Sequence, residues 1–104
     1  MSTKKKTRAR SFLEELRGEP LSFGDALGAI REREGLTQVA LAERMGVSRS
    51  HLCDIEKGRK LVSPALAAEY ARVLGHNERQ FVRLALQDQV RKAGLDYHVE
   101  IEAA

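Results

Sequence analysis

Residues 36–60, LTQVALAERMGVSRSHLCDIEKGRK, leave the chain little choice of fold. Thr37 is suited to cap a helix whose Leu41, Ala42 and Met45 recur at helical spacing. Gly46 enters left-handed backbone without steric cost, so the helix ends there in a tight turn. Val47 then packs inward while Ser48 caps a further helix, on which Leu52 and Ile55 share one side and Gly58 closes the end. The pattern predicts two short helices joined by a glycine turn, each with one apolar face to bury.

The remaining chain supplies helices to cover those faces. Ser22 with Asp25 has the spacing of a capping box, and Phe23, Leu27 and Ile30 form a stripe ended by Gly35. Ser63 followed by Pro64 marks a helix start, after which Leu66, Ala67, Tyr70, Ala71 and Leu74 form an inner stripe ended by Gly75. Asn77 with Gln80 opens a last helix running to about Ala93, with Phe81, Leu84 and Ala85 inward and Gly94 as its stop. Val82, Leu86, Val90 and Ala93 form a second stripe displaced by roughly 130 degrees, which asks for a partner. Ser11 with Glu14 suggests an additional short helix carrying Phe12, Leu13 and Leu16, stopped by Gly18 and Pro20.

After Gly94 the period changes. Leu95, Tyr97, Val99 and Ile101 alternate with polar residues, which predicts a strand with one buried face. A lone strand has nothing to pair with in a helical domain, so it is expected to pair with its copy or dock on the last helix of a second subunit. The expected fold is therefore all-α: five helices around one core, with a short carboxyl-terminal β-strand used in dimerisation. At 104 residues the chain is one domain. Its parts are a basic arm over 1–10, a helical domain over 11–94 with its core at 23–86, and a tail over 95–104.

Charge is unevenly placed. Lys4, Lys5, Lys6, Arg8 and Arg10 put +5 in the first ten residues, so the rest must sum to −2 to give the chain's +3. Residues 44–60 nevertheless hold +3 through Arg44, Arg49, Lys57, Arg59 and Lys60 against Asp54 and Glu56. No run of eighteen apolar residues exists, and no apolar segment follows the basic start, so neither a membrane span nor a secretory signal is expected and the cytoplasm is the expected location. Cys53 is the single cysteine, which excludes an internal disulfide and paired-cysteine metal sites. His51, His76 and His98 lie near no paired carboxylates or nucleophile at a catalytic spacing, and no glycine-rich phosphate loop occurs. Catalysis, a metal and a cofactor are not expected.

The helix starting after Ser48 carries the functional signal. At about 100 degrees per residue, Arg49, Ser50, Cys53, Asp54 and Lys57 lie opposite Leu52 and Ile55. Arg49 can donate twice to guanine O6 and N7, Ser50 can donate or accept, and Asp54 can accept from a cytosine amino group but would be repelled by phosphate. Cys53 could offer a small apolar contact to a thymine methyl. Gln38 sits in a first helical turn, where free N–H groups and the helix dipole favour phosphate. A solvated face on any small helical bundle would show the same polarity.

Residues 36–60, with Ser63, Pro64 and the later Val73-Leu74-Gly75, resemble the helix-turn-helix of the Cro and phage-repressor family, also called the Xre family. The likeness covers roughly 23–86 and rests on the Leu-Thr-Gln opening, Leu41-Ala42, Gly46-Val47-Ser48, and Ile55-Glu56 before Gly58. It implies a five-helix domain that places residues 49–56 in the major groove. By position it makes Gln38 and Ser48 backbone anchors, Arg49, Ser50 and Asp54 base readers, and Arg59 and Lys60 phosphate contacts, with Lys57 beside them. Cys53 stands where the family usually has a polar residue. The implied function is a sequence-specific transcriptional regulator, a repressor binding a near-palindromic operator as a homodimer. The alternative is an antitoxin that uses the same domain, binds a toxin and represses its own operon. The basic arm would follow the duplex backbone or enter a minor groove, or else serve only as a solubilising end.

Overall fold

Each helix among the described residues begins at a side chain that accepts a hydrogen bond from its first turn. The computed structural model describes residues 21–104, so the basic arm and the helix expected from Ser11 fall outside it. The five helices are α1 (Phe23–Arg33), α2 (Gln38–Met45), α3 (Arg49–Glu56), α4 (Pro64–Leu74) and α5 (Glu78–Lys92). Ser22, Thr37, Ser48, Ser63 and Asn77 are their N-caps, and Ser22 and Asp25 form a reciprocal capping box. Each such cap is worth about 1 kcal/mol over alanine. Gly46 and Gly75 end α2 and α4 in left-handed backbone.

The inward residues of all five helices meet in one core. Phe23, Leu27, Leu41, Ala42, Met45, Leu52 and Ile55 join Ala67, Tyr70, Ala71, Phe81, Leu84 and Ala85, with Val62 from the loop before α4. Phe23 and Phe81 meet edge to face at 5.4 Å, which couples α1 to α5. The same pair of helices is tied by Asp88, whose carboxylate accepts from the Phe23 backbone N–H at 3.1 Å and from Arg91 at 3.0 Å. Burial pushes the Asp88 carboxyl above its ordinary range, and those two donors oppose the shift.

Two expectations need correction. Leu66 is 41% exposed, because the buried stripe of α4 is centred on Ala67, Tyr70 and Ala71 and Leu66 lies about 100 degrees to one side of Ala67. Residues 95–104 form no strand, and the described residues contain none. Leu95 and Tyr97 are exposed while Val99 and Ile101 are half-buried, so the four do not share a buried face. The cause is Gln87, a buried side chain on α5 of the same subunit. Its amide donates to the Tyr97 carbonyl at 2.7 Å and accepts from the Val99 N–H at 2.8 Å. One side-chain amide thus satisfies both backbone groups that a neighbouring strand would have paired. Val82, Leu86 and Val90, the other residues expected to meet a partner, are half-buried on α5.

Candidate nucleic-acid interface

The geometry of the site starts beneath α3. Gly24 of α1 lies so close to α3 that a Cβ there would overlap the Ile55 carbonyl oxygen and crowd the Glu56 backbone. Glycine is required by that approach, not by its backbone angles. At the carboxyl end of α3, Glu56 would place negative charge where the helix dipole disfavours it. Arg31 of α1 compensates with a two-pronged grip, Nε to Oε2 at 2.8 Å and Nη2 to Oε1 at 3.1 Å. Arg31 also donates to the Leu36 carbonyl at 3.3 Å, and the carboxylate raises the guanidinium's pKa. Gln38 adds a bond from Nε2 to Glu56 Oε1 at 3.1 Å. Three helices are therefore pinned at one carboxylate, and the orientation of α3 against α2 is held by polar contacts as well as by Leu52 and Ile55.

That support presents the opposite face of α3 to solvent. Arg49, Ser50 and Lys57 are exposed, while His51, Cys53 and Asp54 are partly covered. The side chains of Arg49 and Lys57 make no hydrogen bond or ion pair among the described residues. Ser48 accepts from the His51 N–H at 3.0 Å, which leaves its own hydroxyl proton available to donate outward. Gln38, expected at the same surface, spends one amide hydrogen on Glu56 and keeps the other.

The loop after α3 folds back on the helix. Gly58 adopts φ +78, and the N–H groups of Arg59 and Lys60 both donate to the Asp54 carbonyl, at 2.8 and 3.2 Å. Arg59 then reaches the Asp54 carboxylate, Nε to Oδ1 at 3.0 Å. The structure thus gathers Arg49, Ser50, Cys53, Asp54, Lys57, Arg59 and Lys60 along α3 and its exit loop, with Gln38 and Ser48 at helix starts nearby. Spacing had placed Asp54 and Arg59 on this surface without indicating that they pair. The role of Glu56 was likewise missed: its partner Arg31 is 25 residues away, and only the crossing of α1 over α3 brings them together.

Comparison with known proteins agrees with this architecture. A family model described as a helix-turn-helix domain matches residues 22–84. An HTH-type transcriptional regulator of Methanothermobacter thermautotrophicus is 48% identical over 54 residues, covering 50% of this chain and 78% of that protein. The immunity repressor protein of Bacillus phage phi105 is 42% identical over 55 residues, covering 53% of this chain and 38% of the repressor. The chain thus spans under two-fifths of that repressor's length. No solved structure matches significantly. Among the described residues, no helix is long and apolar enough to cross a membrane.

Proposed function

We propose that this chain, which belongs to the helix-turn-helix domain family, is a sequence-specific DNA-binding transcriptional regulator. In this reading it is a repressor, bound as a homodimer to a near-palindromic operator with α3 in the major groove. The observation that carries it is the division of α3 into two faces. Leu52 and Ile55 are buried, and Arg49 and Ser50 stand exposed opposite them with no competing partner. A guanidinium and a hydroxyl so placed can meet base edges, and Lys57 and Lys60 can meet the flanking phosphates. Gln38 and Ser48 each retain one donor for the backbone. The names of the two relatives, a transcriptional regulator and an immunity repressor, support the same reading.

Two-fold pairing follows from the operator geometry, since recognition helices about 34 Å apart read half-sites one turn apart. Val82, Leu86, Val90, Leu95 and Tyr97 offer apolar surface for that contact. The arm supplies sequence-independent attraction: five phosphate contacts would steepen the salt dependence by about 4.5 in logarithmic slope. Selection of bound DNA from a random pool tests the reading. It should return a near-palindrome with a guanine opposite Arg49, whereas a sequence-indifferent pool would overturn it.

A further inference from the structure

Resting on that reading, we infer that Arg59 reads a base and that Asp54 is the positioning residue that aims it, in place of the cytosine-reading and phosphate-binding roles their types suggest singly. The Asp54 carboxylate holds Arg59 by Nε alone. Both terminal nitrogens of the guanidinium remain available, and they present the paired donors that match guanine O6 and N7. The backbone fixes the same arrangement, because Arg59 and Lys60 both donate their N–H groups to the Asp54 carbonyl. Arg59 is thus held at two points before any ligand arrives, which lowers the entropy lost on binding.

Charge separates a base contact from a phosphate contact here. A carboxylate 3.0 Å from a guanidinium cancels most of its attraction for an anion and repels phosphate directly. Lys57 and Lys60 flank the pair, make no ion pair among the described residues, and suit phosphate better. A guanine edge is uncharged, so orientation counts for more there than net charge. Asp54 lies five residues after Arg49, or about 7.5 Å along the helix axis, which corresponds to about two base pairs of duplex. Each half-site should therefore contain two guanines, one for Arg49 and one for Arg59, separated by about that spacing.

The test uses the full chain, the operator selected by the wild type, and every single base-pair change in one half-site. Arg59→Ala should lower discrimination at one G·C pair on the order of tenfold to a hundredfold. Asp54→Ala should relax the same pair by a smaller factor, and the double variant should be no worse than Arg59→Ala. Asp54→Asn, which keeps an acceptor for Nε, should retain more discrimination than Asp54→Ala. Neither side chain is part of the core, so unchanged melting temperatures will exclude misfolding. Uniform weakening of all sequences by Arg59→Ala, with a salt slope lower by about one, would assign Arg59 to phosphate and overturn the inference. So would relaxation of a different base pair by Asp54→Ala. Either result would leave the DNA-binding reading standing; a wild type that selects no sequence would remove both.

Discussion

Two polar side chains, one half-buried and one buried, each hold a segment in place, and they do so with different chemistry. Glu56 grips α1 and α2 through a charged, three-bond junction, whereas Gln87 grips the carboxyl-terminal tail through two bonds from a neutral amide. The first fixes a helix whose outer face must be presented at a set angle. The second fixes a segment that has no regular structure of its own. Breaking the charged junction strands a guanidinium, while breaking the amide merely returns two backbone groups to water. The half built around α3 is therefore expected to be rigid and cooperative with the core, and the tail to open locally.

The largest effect should come from crowding the foundation of the rigid half. Gly24→Leu must push α3 away from α1, and a loss of more than about 3 kcal/mol is expected in chemical denaturation. A stable, normally folded variant would show that the close approach is not required.

Glu56→Ala should cost about 2 kcal/mol, because the half-buried Arg31 and Gln38 lose their shared acceptor, and specific DNA binding should weaken further than stability alone explains. Denaturation curves and operator binding of the same variant separate the two effects.

Gln87→Ala should cost about 1–2 kcal/mol and act locally. The Val99 amide should lose its protection from hydrogen exchange while amides of α3 keep theirs. Equal loss in both regions would erase the contrast between the halves.

The smallest expected effect is a pH dependence at the α1–α5 contact. Burial raises the Asp88 carboxyl, so the folded protein binds that proton more tightly than the unfolded chain does. Its contribution is fully present below the ordinary carboxylate range and is lost as pH rises through the raised folded value. Asp88→Asn removes the titration, so the variant should gain on the wild type across that window, by less than the Gln87 effect. A stability difference independent of pH would contradict this assignment.

Much of the framework was readable from residue types alone. Ser22, Thr37, Ser48, Ser63 and Asn77 announced helix starts, Gly46 announced the turn, and the spacing of Leu52 and Ile55 separated the inner from the outer face of α3. These signals are local, and each concerns residues within one or two turns. The polar junctions were not readable, because the partners of Glu56, Asp54 and Gln87 depend on where helices cross and loops return. The tail misled for the same reason. The alternation of Leu95, Tyr97, Val99 and Ile101 has a strand's period, but Gln87 captures the backbone before any strand partner is needed.

The central claim is that the exposed face of α3 reads base pairs while its buried face only supports it. The ratio of operator binding to random-duplex binding, measured for the wild type and Arg49→Ala at one salt concentration, tests this most directly. That ratio should fall on the order of tenfold to a hundredfold in the variant, with the melting temperature unchanged. A ratio equal to that of the wild type would contradict the assignment of α3 as the reading helix.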